Sequence, residues 1–469
     1  MSWRFNNGLE TLKRDDALAL WEEGRDAWNN WVANNLDYNI DFEKVDFSDY
    51  GIVNFSGFNF PNGDVDFSYA TFGDGDVDFS NATFGDGNVF FSRATFGDGN
   101  VSFSEATFGE GQVSFSNATF GEGDVSFYKA TLGKGDVYFS GATFGKGDVY
   151  FSGATFGKGD VSFYKANFGD GNVYFSHTTF GDGEVSFNNA NFGKGDISFY
   201  NVKFGGIALF TDLINVQNLK KFSFKHSTFD GPLEISAAYI DKDKTKREVF
   251  PCLIDLTNTK TSHHVSLSGV KCALPRGDKS TDQKSYISQF FDWLAYQFFY
   301  NVEDWIDKRN IGNADDIARA RRLKELAEDN KNHQAAQDFH VLEMQAKRTH
   351  TRTYWLNSEF WFEKLSNYGR SVTRPVHGLF YIWIIWAEFY LIASLLEHAE
   401  KIEWQKALAF SAANMFAFIP SAKNAIQIDN DLFGSEIPTW IYLLTFSQSG
   451  ISILLLFLFG LALRHKYRI

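Results

Sequence analysis

From Val65 to Phe204 the chain repeats with a period of 12 residues, and few folds accept so short a period. One unit reads Val77-Asp78-Phe79-Ser80-Asn81-Ala82-Thr83-Phe84-Gly85-Asp86-Gly87-Asn88. Twelve copies follow one another, from the unit opened by Val65 to the one opened by Ile197. Two large apolar positions stand five apart in each unit, and of the 24 such positions 23 are Phe and one is Leu132. A small residue precedes each by two places, as Val77 precedes Phe79 and Ala82 precedes Phe84, and it is apolar everywhere but at Thr178 before Phe180. Residues two apart share one side of an extended chain. Val and Phe therefore point inward together, and Asp78, Ser80 and Asn81 point outward. A 3.6-residue helical period does not fit a 5 + 7 rhythm. The pattern is that of a β-solenoid, with Phe67, Phe72, Phe79, Phe84, Phe91, Phe96, Phe103 and Phe108 opening its core. Gly85 and Gly87 fall in the turn, where glycine makes positive φ or a tight corner easiest.

The five-residue core, Val-x-Phe-x-x then Ala-x-Phe-x-x, resembles the pentapeptide-repeat family. That resemblance implies a right-handed quadrilateral β-helix with one pentapeptide per face. Here every second unit carries two extra residues, the Gly-Asp of Gly-Asp-Gly-Asp. Four faces then need 24 residues and give a rod of roughly 29 Å at about 4.8 Å per coil. A flattened coil of 12 residues would give roughly 58 Å. Four faces are preferred.

The formal charge of the chain is −14, and residues 41–203 hold 22 acidic and 9 basic side chains. The acidity belongs to the solenoid and argues against nucleic-acid binding through it. Two cysteines in 469 residues, Cys252 and Cys272, support no disulfide framework and fit a reducing compartment. The Gly-Asp turns invite a calcium reading. Against it, the first acid becomes Lys134, Lys146, Lys158 and Lys194, and the second becomes Asn88, Asn100, Gln112 and Asn172. Ordered corners are expected instead. No metal or other cofactor is expected. His263-His264 has no acidic or cysteine partner spaced to join it.

Around the solenoid, residues 1–40 show no signal peptide and read as a helix, Asp15 to Asn34, that caps the first coil. Its three tryptophans, Trp21, Trp28 and Trp31, could alternatively form a binding face. The stretch Trp21-Glu22-Glu23-Gly24-Arg25-Asp26-Ala27-Trp28-Asn29-Asn30-Trp31 is similar to the leader preceding many bacterial pentapeptide repeats. Repeats are regular over 65–204, and irregular closing coils are expected over 205–280. A helical connector follows over 281–355. Within it Tyr286 to Arg309 is rich in aromatics, and Ala314 to Arg348 is a charged packing helix or, alternatively, a membrane-surface or partner-binding one.

The strongest functional signal lies in 356–469. Residues 376–396 form an apolar run with one charge, Glu388, and residues 440–463 form a second with none. Lys364, Arg370 and Arg374 precede the first, and Arg464, Lys466 and Arg468 follow the second. The connection from Glu397 to Thr439 holds six acids and three lysines. The positive-inside rule then puts both termini in the cytoplasm of a two-span membrane protein. Burial of both runs within a soluble domain is the competing reading. A segment at 404–420, ended by Pro420, reads as re-entrant. The order resembles two-helix cation channels, but no Thr-Val-Gly-Tyr-Gly-type filter is present and Ala417-Phe418-Ile419-Pro420-Ser421-Ala422-Lys423 stands where one would be. Glu388, Ser447, Gln448, Ser449 and Ser452 are the intramembrane polar candidates, as a pathway lining or with Glu388 hydrogen-bonded to a neighbour such as Gln448.

The tail motifs Tyr368-Gly369-Arg370-Ser371-Val372-Thr373-Arg374-Pro375 and Leu456-Phe457-Leu458-Phe459-Gly460-Leu461-Ala462-Leu463-Arg464 resemble bacterial pentapeptide-repeat proteins with a C-terminal two-span, ion-channel-like domain. The resemblance implies a bacterial inner membrane, a homo-oligomer and a channel or pore with a cytoplasmic solenoid, in stress or phage defence. No nucleophile–base pair or phosphate loop points to an enzyme. The alternatives are a membrane-tethered scaffold whose solenoid binds a protein partner, and DNA mimicry of the kind found in gyrase-protecting pentapeptide-repeat proteins.

Overall fold

The computed structural model describes residues 7–241, 243, 246–274, 314–349, 362, 365–369, 371–397, 404–416, 432–433 and 439–467. The chain divides into two compact units, Met1–Arg276 with Asn310–Ala346, and Gly277–Arg309 with Lys347–Ile469. The aromatic stretch Tyr286 to Arg309, Pro420 and the segment from Ala417 to Lys423 lie outside the described residues.

The first unit is a parallel β-solenoid. The repeat strands pair in parallel register with their equivalents 24 positions on: Val65 pairs with Val89 and Val89 with Val113, while Val77 pairs with Val101 and Val101 with Val125. One coil is therefore two sequence units. The Val-led strands form an 11-stranded and an eight-stranded sheet. Two further ladders run between them, Thr71–Thr95–Thr119–Thr143 and Thr83–Thr107–Thr131, the latter passing into a six-stranded sheet. The closing coils keep the ladders but lose the spacing, as Val185 pairs with Ala208, Ala208 with Leu233 and Leu233 with Val265.

Phe residues stack in register up the inside. Ring centroids are 4.8 Å apart at 2° for Phe67 and Phe91, 4.5 Å for Phe72 and Phe96, 4.9 Å for Phe79 and Phe103, and 4.6 Å for Phe84 and Phe108. Across the coil Phe67 meets Phe79 edge-on at 5.5 Å and 86°. Both offset-stacked and edge-to-face geometries are favourable for rings. Leu132 interrupts one column between Phe108 and Phe156, and is itself buried. Leu132→Phe is expected to restore the column, with a stability change within about 1 kcal/mol, to be measured by denaturant unfolding. A loss well above that would mean the gap is needed.

The glycines do different work from that expected of them. Of the Gly-x-Gly pairs, only Gly73, Gly169 and Gly193 take positive φ. The others are small because adjacent coils touch there: a Cβ on Gly111 would lie 2.2 Å from the Gly87 carbonyl oxygen. The left-handed conformation falls one turn earlier, on Tyr69, Asn81, Arg93, Glu105, Asn117 and Lys129, with φ between 53° and 61°. Each is the third residue of a four-residue turn closed by a backbone bond such as Ala70 N to Phe67 O, 3.1 Å.

The second acid of each Gly-Asp-Gly-Asp has a structural task. Its side-chain oxygen accepts the backbone N–H of the equivalent residue one coil on: Asp64 Oδ1 from Asn88 N at 2.8 Å, Asp76 Oδ1 from Asn100 N at 2.7 Å, Asn100 Oδ1 from Asp124 N at 3.0 Å, Asp124 Oδ1 from Asp148 N at 2.8 Å. Asp and Asn both carry that oxygen, which explains their interchange. At the first acid position, Lys134 meets Glu110 at 2.6 Å and Lys146 meets Glu122 at 2.5 Å. Both pairs are exposed and worth at most about 1 kcal/mol each.

Helices close both ends. At the N-terminal end, α1 (Arg14–Glu22) and α2 (Arg25–Asn34) replace the single helix read from sequence, because Gly24 at φ 92° breaks it. Trp28 stacks on Phe42 at 5.9 Å and Trp21 on Phe55 at 5.4 Å, so two Phe columns end in indoles. Their Nε1 atoms donate to Asn59 O and Asn54 O at 2.7 and 3.0 Å. The boundary at residue 40 also shifts: Glu10–Leu12 pairs with Tyr38–Ile40, and Ile40 with Val65, so the helices interrupt a sheet already begun. At the other end, the charged stretch is two helices, α3 (Ala314–Asp329) and α4 (His333–Thr349). Lys331 at φ 56° breaks the run, and Asn332 Oδ1 accepts Ala335 N at 3.1 Å. These helices belong to the solenoid unit rather than to a separate connector. Leu323, Leu326 and Phe339 join its core. Arg319 is held between buried carboxylates, 3.1 Å from Asp255 and 2.7 Å from Asp316.

Asp66 is a buried carboxyl in the first regular coil, accepting Ser68 N at 2.7 Å. Burial raises it above the ordinary carboxylate range, against the lowering effect of its Ser68 hydrogen bonds. The folded state thus holds this proton more tightly than the unfolded chain. Its contribution is most favourable below the unfolded value and is lost as pH rises through the folded one. Asp66→Asn is expected to raise the unfolding midpoint at pH 7, with the difference closing toward pH 3. An equal difference at both pH values would refute this.

Candidate functional site

The second unit is built on two long apolar helices, α5 (Thr373–Glu397) and α7 (Thr439–Tyr467), with a short one between them, α6 (Trp404–Met415). The windows Thr373–Leu396 and Thr439–Arg464 are long and apolar enough to cross a membrane, with mean hydropathy 1.9 and 2.0. Only 28% of each window is buried, whereas a core helix of a soluble protein is mostly buried. Phe380, Phe389, Leu443, Phe446 and Phe457 stand exposed on them. So large an apolar surface marks a membrane or protein contact. Trp404 and Trp440, at the starts of α6 and α7, are 47% and 42% exposed.

α5 and α7 run antiparallel. Leu455 packs against the Gly378 backbone near one end, where a Cβ would be 3.1 Å from its Cδ1, while Tyr390 bonds to Gln448 nearer the other. α6 inserts beside both. Trp383 Nε1 donates to Leu408 O at 2.9 Å, and Ser411 Oγ donates to Trp383 O at 2.7 Å. Gln448 is the centre of this contact. Its Oε1 accepts the Tyr390 hydroxyl at 2.8 Å, and its Nε2 donates to Ser411 O and Oγ at 2.9 and 2.8 Å. Ser449 Oγ donates to Asn414 O at 2.8 Å. Trp383 stands near the middle of its window and Ser449 near the middle of its own. The last turn of α6 therefore lies at the mid-depth of both long helices.

The five polar positions read from sequence separate into three groups. Gln448 and Ser449 join the network, and Gln448 is fully buried. Ser452 is also fully buried, and its Oγ has no hydrogen-bond partner, like Asn414 Nδ2. Ser447 is half-buried and donates back to Leu444 O at 2.8 Å. Glu388 does not bond Gln448: it is exposed, on the side of α5 away from α6 and α7. The reason is helical phase. Trp383, Trp386 and Tyr390 face the neighbours, and Glu388 is turned about 140–160° from the first and the last of them at 100° per residue. Tyr390 and Ser411, which hold Gln448, were not singled out from sequence. A polar residue inside each apolar stretch was the available signal.

Among the described residues no three His, Cys, Asp or Glu side chains come together as a metal site, and His263 and His264 are exposed. Cys252 and Cys272 are free, and burial pushes the Cys252 thiol up to about 11. Comparison with protein-family models, with curated proteins and with solved structures finds no match in any of the three.

Proposed function

We propose that the protein is a homo-oligomeric bacterial inner-membrane channel whose conducting path is lined by the inner ends of its α6 helices, with the solenoid as a cytoplasmic sensor or scaffold. The observation that carries this reading is the end of α6 at the mid-depth of two apolar helices. A helix end leaves its last carbonyls without partners inside the helix, and at that depth such groups are tolerated only when bonded by protein, as Asn414 O is by Ser449, or when lining a water-filled cavity. Three helices cannot enclose a path, so several copies are needed. The C-terminal end of a helix is partly negative, which favours cations. Trp404 and Trp440 would mark the outer interface, and Arg374 and Arg464 the cytoplasmic one. Four ladders per 24-residue coil support the four-sided pentapeptide-repeat form for the solenoid, and its right hand is what the resemblance to that family implies.

The test is cation and chloride flux in liposomes holding the purified full-length chain. Cation flux exceeding chloride flux is expected. Tight liposomes with the protein inserted and oligomeric would instead favour the tethered scaffold. That second reading draws on Tyr128, Tyr164 and Tyr200, each at least 40% exposed on the solenoid and suited to a protein partner.

A further inference from the structure

Glu388 is a carboxyl group on the outer surface of an apolar helix, with Phe389 and Ile392 beside it 50% and 54% exposed. Facing lipid there, it would be costly. It also points away from α6, so the inner end of α6 does not share a cavity with it inside one copy. No described residue of its own chain covers it, and a second copy can.

The chain carries a surface suited to that task. Glu388 is eight residues from the Leu396 end of its window, and Ser447 is eight residues from the Thr439 end of the other. At 1.5 Å per residue both lie about 12 Å deep, measured from the same side because α5 and α7 are antiparallel. One turn further along α7 is Gly450, exposed, with nothing within 4 Å of where its Cβ would be. Phe446 and Leu454, 80% and 48% exposed, stand a turn to either side and make Gly450 the floor of a notch. The Ser447 hydroxyl, on the rim, bonds Leu444 O but keeps its lone pairs free to accept, and can rotate to donate.

We infer that Glu388 of one copy seats in the Ser447–Gly450 notch of a second copy. The inference rests on the membrane reading proposed above and assigns Glu388 to the contact between copies rather than to the conducting path. Within one chain Glu388 faces away from α7, and Gly450 is turned about 160° from the inward Gln448 at 100° per residue, so two copies do not make both contacts at once; the contact is head-to-tail, and a ring closes it. The polar pair would fix the register of an otherwise apolar interface.

The test is disulfide trapping between full-length chains in membranes. One chain carries Glu388→Cys and one tag, and the other carries Gly450→Cys and a second tag. The two are co-expressed and oxidised with copper–phenanthroline. Linkage requires the Cα atoms to come within about 7 Å. The expected result is a dimer band bearing both tags, also with Ser447→Cys in place of Gly450→Cys, and none with Ser452→Cys, which faces inward. Wild-type chains, whose free cysteines are Cys252, buried, and Cys272, partly buried, both in the solenoid unit, should give none. Chains linked through Glu388→Cys to each other would overturn the inference, since like positions would then face one another. An intact oligomer on native gels with no Glu388→Cys to Gly450→Cys linkage would also overturn it, while leaving the channel reading standing. A monomer in the membrane would overturn both.

Discussion

Gly111→Ala is expected to destabilise the solenoid by about 3 kcal/mol, the upper range for an overpacked site. The added Cβ would lie 2.2 Å from Gly87 O, 2.4 Å from Gly87 C and 2.8 Å from Asn88 N, all of them backbone. A side chain can rotate away from such a contact, but these atoms can retreat only by separating the coils. Separation would stretch the Val89–Val113 pairing and the bond from Gln112 N to Asn88 Oδ1, now 2.9 Å. Gly141→Ala is the matched control. Gly141 sits at φ 69° and its added Cβ would meet only the Asn117 side chain. Its cost is the left-handed strain, about 1 kcal/mol, which neighbouring corners already bear with Glu105 and Lys129. Denaturant unfolding of both variants decides. Equal losses would mean that conformation, not coil contact, keeps the Gly-x-Gly turns. In a linear array each coil touches only its neighbours, so Gly111→Ala should also broaden the transition by weakening the coupling between the two halves.

Gln448→Leu is expected to release α6 from α5 and α7. The substitution keeps volume and removes three hydrogen bonds, to Tyr390, Ser411 O and Ser411 Oγ. Tyr390 is fully buried, so its hydroxyl would lose the Gln448 acceptor where water does not readily replace it. An orphaned buried polar group costs about 1–3 kcal/mol, and bonds within a membrane fall toward the low end. The first readout is hydrogen exchange of the α6 amides, which should speed up about tenfold for each 1.4 kcal/mol lost. Tyr390→Phe removes one of the three bonds and should give a smaller effect in the same direction. Unchanged exchange in Gln448→Leu would show that apolar packing through Phe410 and Phe433 suffices to dock α6. In the channel reading, ion flux should change along with exchange. A change in exchange with unaltered flux would separate the docking of α6 from conduction.

Much of the solenoid was legible in the chain itself. Alternation of inward and outward residues is a property of sequence neighbours, so Val77, Phe79, Ala82 and Phe84 announce their burial without any knowledge of what they meet. The same holds for the two long apolar helices, where length and composition suffice. The number of units per coil was not legible, because odd and even units share the same letters and only the hydrogen-bond register from Val65 to Val89 distinguishes them. Nor did the glycines disclose their reason: Gly111 looks like a turn residue, and only the coil beneath it shows that it is small for want of room. Helix α3 reads as amphipathic, yet its pattern does not say that its apolar side closes the end of the solenoid. Glu388 and Gln448 are the sharpest case. Both are polar residues in apolar helices, and from sequence Glu388 either bonds a neighbour such as Gln448 or lines a pathway with it. Packing turned Gln448 inward to Tyr390 and Ser411 and left Glu388 on the outer surface. Periodicity tells which residues share a face of one element, but which face meets which partner depends on residues far apart in the chain, and only tertiary packing decides it.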